Sequence, residues 1–400
     1  MIYYKNKWFL YAIFFFHNLV PAYVIERLFY QERGMTVQMV VYCEIVYAIA
    51  IIVFEIPSGV LADKIGRKKL IVISSILHGF QFYALVYANT FWHFAVVTFI
   101  SGIGTAFGSG SYNALLYDSL KSCNRENEFE VICGKGNAID FTAGLIAALS
   151  GGFLAFQFGF TFNYWISFVS SILAVTFSLL LREPPTHYTR KEKLTFLHII
   201  NIAFSFFKAN ANALKICINA TIISACLVYI DEFWQLYLEH ISFSVMFFGI
   251  VSSIICGGRI LCSILSAKLL KLFKLKTIMI SASLLCGFGI VMASIVQNVV
   301  GVLGLIFAIS MASLIEPLVM GYLHHHADSE ARATIESMSS LLERIISMIL
   351  GLFFGFVATE FNIMMGFWLI GVFVIIIAII FTFVFHSKRF SDIKGFRELF

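Results

Sequence analysis

The sequence predicts an all-α membrane protein with twelve transmembrane helices arranged as two pseudo-symmetric six-helix bundles. Three observations carry this expectation. Of 400 residues, 60% are hydrophobic and 13% are charged, whereas a soluble domain carries about a quarter charged residues. Apolar runs of about 20 residues, the length that crosses a bilayer core, recur from one end of the chain to the other. Finally, YQERGMTVQM from Tyr30 aligns with YLEHISFSVM from Tyr237, so one outer loop and the helix after it return in the second half. A membrane β-barrel would need segments of about 10 residues alternating apolar and polar, and the sequence shows no such alternation.

The expected spans are 8–28, 37–60, 70–88, 92–116, 134–156, 160–181, 212–236, 244–267, 276–296, 299–322, 333–358 and 362–386. Lys5 and Lys7 precede the first run as they would in a secretory signal. That run is too long, and no small-residue cleavage site follows it, so it reads as a retained span. Basic residues in short loops stay on the cytoplasmic side. With the N-terminus inside, the inner loops hold most of them, from Lys64, Arg67, Lys68 and Lys69 to Lys388, Arg389, Lys394 and Arg397, while Arg27 and Arg33 remain outside. Both termini are therefore expected in the cytoplasm and the protein in the cell membrane. Trp8, Trp92, Trp165, Trp234 and Trp368 lie near span ends, as interfacial anchors do. The net charge of +5 then reports topology, not a nucleic-acid partner.

The repeat divides the chain into a first bundle over 1–181, a cytoplasmic linker over 182–211, a second bundle over 212–387 and a cytoplasmic tail over 388–400. The linker begins with REPPTHYTRKEK, the one charged, proline-bearing stretch long enough to join bundles. Its LTFLHIINIAFSFFKA is expected to lie as a helix on the inner membrane surface.

After the second span stands PSGVLADKIGRKK. Gly59 and Gly66 permit close helix approach and a tight turn, Asp63 offers an acceptor to backbone N–H groups, and Arg67 can fork onto a carboxylate. The pattern Gly59, Asp63, Gly66, Arg67, Lys68, Lys69 resembles the hallmark loop of the major facilitator superfamily. FEIPSG, the glycine-rich SGIGTAFGSGSYNALLYDSL and a weaker copy of the loop, ILSAKLLKLFKLK, extend the resemblance over the whole chain. It implies a transporter of the drug-efflux-like twelve-helix group. It further implies a cytoplasmic latch in which Asp63 faces the start of the eleventh helix near Ala331 to Thr334, and Arg67 pairs with Asp118. The alternative for the loop is plain positive-inside charge. Two departures weaken an antiporter assignment: Thr98 stands where such proteins often carry arginine, and AALSGG at 147–152 lacks the proline of their fifth-helix motif.

Charges that fall inside spans are expensive in lipid and mark function by default. They are Glu44, Glu55, Asp140, Asp231, Glu232, Arg259, Glu316, Glu336, Glu343 and Arg344. Glu343, Arg344 and Arg259 lie deepest and are the candidates for a substrate cavity, together with Asn18, Trp234 and Gln235. A structural ion pair of Glu343 with Arg259 or Arg344 is the competing account. Asp140 and Glu316 have no basic neighbour in sequence, which marks them as candidate proton carriers, with Asp231 and Glu232 next. Glu44 is read as water-facing near the outer leaflet, and His324, His325 and His326 as surface histidines rather than a metal site.

No nucleotide-binding loop is present, GIGTAFG from Gly102 misses the dinucleotide spacing, and the eight cysteines show no C-x-x-C. No cofactor, metal or catalytic group is therefore expected, and energy must come from an ion gradient or from the substrate's own gradient. The aromatic and apolar helices favour proton-coupled export of a small amphipathic organic compound by a monomer. The alternatives are a proton symporter or facilitator taking up a polar solute, and a transporter-like sensor that moves nothing.

Overall fold

Pro21 interrupts the first span. In the computed structural model, which describes residues 2–185, 206–208, 210–326 and 329–386, helix α1 (Asn6–Asn18) stops before it. A 3-10 turn (Pro21–Ile25) then leads into α2 (Glu26–Glu32). Proline lacks the N–H and its ring clashes with the carbonyl four residues earlier, so a continuous helix is lost there. Backbone groups freed inside a membrane need partners. The Pro21 carbonyl accepts from Asn163 Nδ2 (3.1 Å), the Ala22 N–H donates to Ser167 Oγ (3.2 Å), and the Phe16 carbonyl accepts from Ser170 Oγ (2.8 Å).

The remaining helices of the first half are α3 (Val37–Ile65), α4 (Arg67–Val86), α5 (Phe91–Gly108), α6 (Ser111–Lys121), α7 (Phe129–Phe158) and α8 (Phe160–Leu180). Those of the second half are α9 (Ala211–His240), α10 (Phe248–Leu272), α11 (Leu275–Val296), α12 (Val299–Ala312), α13 (Ile315–His326), α14 (Ser329–Glu360) and α15 (Ile363–His386). Twelve segments among the described residues are long and apolar enough to cross a membrane. The fourth and tenth spans, like the first, are each made of two helices. The former breaks at Gly110, and the latter restarts at Ile315 with Pro317 in its first turn, where proline is tolerated.

The chain forms two compact units, Met1–Arg190 with Phe243–Ser253, and Lys191–Ser242 with Ile254–Phe400. Within the first, α1 packs on α7 and α8, and α4 packs on α5 and α8. Leu10, Ile13, Ile71, Leu115, Leu116 and Ile132 form one core there. Within the second, α9 packs on α14 and α15, and α11 packs on α12 and α15. Its centre is aromatic: Tyr229 stacks on Phe354 (centroids 5.4 Å) and Tyr237 on Phe367 (5.8 Å). The Tyr229 hydroxyl donates to the Ser347 carbonyl (2.6 Å), and a Cβ on Gly351 would collide with that hydroxyl. Only glycine leaves room for this contact.

One expectation is corrected and one is extended. Trp234 is no interfacial anchor but a core residue at 6% exposure, because α9 continues beyond it to His240; Trp8 and Trp92, at 63% and 73%, do face outward. Glu44 accepts from Arg27 (2.8 Å), a guanidinium only 3% exposed, so a buried positive charge holds its carboxylate rather than water alone. Glu44 itself is about one-third exposed and Glu26 also lies 3.9 Å from the guanidinium, so losing Glu44 costs less than the roughly 3 kcal/mol of a fully buried pair. Glu44→Ala is expected to lower the unfolding temperature of detergent-solubilised protein by several degrees, with Glu44→Gln intermediate. A melting curve that matches the wild type would show that Arg27 is held without it.

Of the linker, residues 206–208 are helical, and the rest of the surface helix expected over 194–209 lies outside the described residues, as does the tail from 387. The side chains of Asp63, Glu336, His324, His325 and His326 also lie outside them.

Candidate functional site

In the first unit, Gly66 ends α3 and begins α4 with φ of +96°, a conformation that L side chains rarely adopt. The turn aims the first N–H groups of α4 at a carboxylate that the sequence reading missed. Glu183 accepts from the Arg67 N–H (2.9 Å) and the Lys68 N–H (2.7 Å), so an anion sits at the helix N-terminus, where the dipole favours it. A side chain on Gly66 would meet that carboxylate at 2.9 Å. The Arg67 side chain turns the other way, forming an ion pair with Asp118 and donating to the Ala114 carbonyl (2.8 Å) on α6. The pair is about one-fifth exposed. Asn6 joins the cluster from α1: its Nδ2 donates to Ser119 Oγ and to the Arg182 carbonyl (both 2.8 Å). Gly59 stands in α3 with open space around it.

In the second unit a cavity of about 330 Å³ is bounded by α9, α10, α12, α13 and α14. From α9 it is lined by Cys217, Thr221, Ser224, Val228 and Asp231, whose spacing of three or four residues keeps them on one helical face. Opposite stand Glu343 with Ser339 and Ser340 on α14, Glu316 on α13, and Arg259 on α10. Arg259 forms an ion pair with Asp231, each side chain roughly two-fifths exposed, while Glu343 accepts from the Ser224 hydroxyl. The competing account, an ion pair of Glu343 with Arg259 or Arg344, is not seen among the described residues, where the Arg259 guanidinium belongs to Asp231; the expectation that Arg344 lines the cavity is corrected, since it is absent from the wall. At 1.5 Å per residue, the two polar centres are about 10 Å apart along α9. Glu316 forms no ion pair among the described residues. Ile223, Leu227, Ile309, Val319 and Met320 complete the wall.

Other expected site residues lie elsewhere. Trp234, Gln235 and Glu232 belong to α9 but not to the cavity wall, and the first two are buried. Asn18 and Asp140 meet in the first unit, where Asn18 Nδ2 donates to the Asp140 carbonyl (3.1 Å). Cys217, Ser224, Ser339 and Ser340 line the cavity without having been singled out in the sequence. Their signal was the shared face with Asp231 on α9 and with Glu343 on α14. Cys217 Sγ and Ser339 Oγ lie 3.2 Å apart, linking the two helices.

Residues 8–349 match the model of the Major Facilitator Superfamily. The chain belongs to that superfamily. Among its relatives, an uncharacterized MFS-type transporter of Bacillus subtilis is 23% identical over 362 residues, covering 87% of this chain and 88% of the relative. An uncharacterized transporter of Buchnera aphidicola is 30% identical over 219 residues, 50% of this chain and 54% of the relative, so that match spans about half of either. Solved structures share the fold at low identity. The nucleoside transporter NupG has a TM-score of 0.72 at 14% identity, covering 97% of this chain and 99% of that one. A D-xylose-proton symporter has a TM-score of 0.67 at 12% identity, covering 96% of each. This MFS protein is thus a multi-pass membrane transporter.

Proposed function

We propose that this MFS transporter is a proton-coupled secondary carrier that exports a small amphipathic organic compound bearing a basic amine, by alternating access. The observation that carries the reading is the wall of the second unit's cavity. Among the described residues, three carboxylates, Asp231, Glu316 and Glu343, share it with a single guanidinium, so the wall is net negative, and aliphatic side chains fill the space between them. An amine can replace the missing positive charge while its apolar part lies along Ile, Leu and Val. Asp140 and Glu316 are the proposed proton carriers, with Asp231 and Glu232 next. Gly59, Asp63, Gly66, Arg67 and Asp118 are the proposed latch. The protein works as a monomer in the cell membrane with both termini in the cytoplasm, without cofactor, metal or covalent chemistry.

A second reading, proton-coupled uptake of a polar solute, draws on the hydroxyls of Thr221, Ser224, Ser339 and Ser340 in the same wall. Purified protein in proteoliposomes with an imposed pH gradient separates the two. The expected result is that lipophilic amines drive proton movement and are concentrated, whereas pentoses and nucleosides are inert. Asp140→Asn or Glu316→Gln abolishes concentration against the gradient and spares substrate exchange. Proton movement with the sugars alone would replace the first reading by the second. Concentration by both variants at wild-type rates would remove Asp140 and Glu316 as carriers.

A further inference from the structure

Two histidines absent from the functional reading so far meet in the first unit. His17 on α1 and His78 on α4 face each other with ring centroids 4.7 Å apart and planes tilted by 33°. Nε2 of each ring is buried without a hydrogen-bond partner among the described residues, and so is the hydroxyl of Ser75, one turn from His78 on α4. Tyr112 on α6 closes the cluster, its hydroxyl 3.4 Å from His17 Nδ1. Phe14 and Phe82 pack edge-on against Tyr112 and His78. Unpaired polar atoms at this density are unusual in a folded interior.

We infer that His17 and His78 form a proton-binding site that holds one proton between them. Imidazole is the side chain whose ordinary charge change falls near neutral pH. A hydroxyl suits a titrating ring because it donates to Nδ1 while that nitrogen is bare and accepts from it once protonated. The first proton makes one ring a cation over the face of the other, and a second would set like charges in contact, so the pair takes one.

The titratable groups on the surrounding elements leave the pair without a fixed counter-charge. Asp118 on α6 is held by Arg67. Asp140 on α7 stands beside Asn18, the residue after His17. His93 on α5 lies by Thr90, Glu44 on α3 is paired with Arg27, and α8 carries no charged residue. Tyr23 and Tyr164 stand beyond Phe82.

The site goes beyond the carriers proposed above and is tested without any substrate. Nitrogen-15 histidine spectra of the wild-type protein in lipid nanodiscs are titrated, with the two rings assigned by loss of signal in H17Q and H78Q and by their through-space contact in the wild type. The expected result is one shared protonation step in both rings below about pH 6.5, with the second proton at least about one pH unit weaker. Tyr112→Phe, which keeps the ring packing, should weaken the first proton by about fivefold. Two independent single-site titrations, two rings that stay neutral throughout, or a Tyr112→Phe titration identical to the wild type would each overturn the inference.

Discussion

Arg259→Gln is expected to reduce transport by at least about tenfold, the equivalent of roughly 1.4 kcal/mol, with normal amounts of protein in the membrane. Among the described residues the guanidinium is the one positive charge in a wall that also holds Asp231, Glu316 and Glu343. Removing it leaves Asp231 without its partner. Both groups are partly exposed, so the loss is smaller than for a fully buried pair. The decisive comparison is the double variant Asp231→Asn with Arg259→Gln. If the pair only braces α9 against α10, neutralising both ends restores transport. If Asp231 and Arg259 contact the solute, the double variant stays as poor as the single ones. Transport by Arg259→Gln at the wild-type rate would place the solute elsewhere.

The second large effect is expected at the turn after α3. Arg67→Ala removes a contact to Asp118 and another to the Ala114 carbonyl, and should lower transport about tenfold or more while membrane insertion is unchanged. Arg67→Lys should recover part of the loss, because both contacts are made by the single nitrogen Nη1, whose place an ammonium can take with less fixed geometry. Glu183→Ala, which loses only a helix cap, should cost about 1 kcal/mol of stability and leave more activity than Arg67→Ala. Initial rates and yields of the three variants in the same vesicles check the order. Equal rates for wild type and Arg67→Ala would reduce the loop to topology charge.

The twelve spans were legible because each is a run of apolar residues, and a bilayer reads composition and length directly. The broken helices were less so. Pro21 lay within an apolar run that the hydropathy pattern carries straight through, and only the polar partners on α8, Asn163 and Ser167, show why a break is tolerated there. Arg67 and Asp118 were named from a motif. Glu183 was not, because its role depends on a contact across 116 residues and no local spacing announces it. In the second unit the charges were visible one by one, but their pairing was not. Sequence distance put Arg344 beside Glu343, whereas side chains of successive helical residues point in directions about 100° apart and do not share a face. Arg259 met Asp231 instead. The paired histidines went unremarked because His17 and His78 are each solitary in apolar surroundings, and a lone histidine carries no pattern.

The cap on α4 has a consequence for how the protein is made. Arg67 and Lys68 leave the ribosome long before Glu183 does. At roughly 5 to 20 residues per second, the intervening chain takes on the order of ten seconds to synthesise, and for all of that time the first turn of α4 has neither its carboxylate nor, until α6 is made, the Asp118 anchor for Arg67. The turn before α4 therefore matures late: Glu183 arrives only after all of α1 to α8, and Phe243–Ser253 of the same unit follow later still. A nascent chain halted before residue 183 carries every membrane segment of α1 to α8 and still lacks the contact that closes the turn.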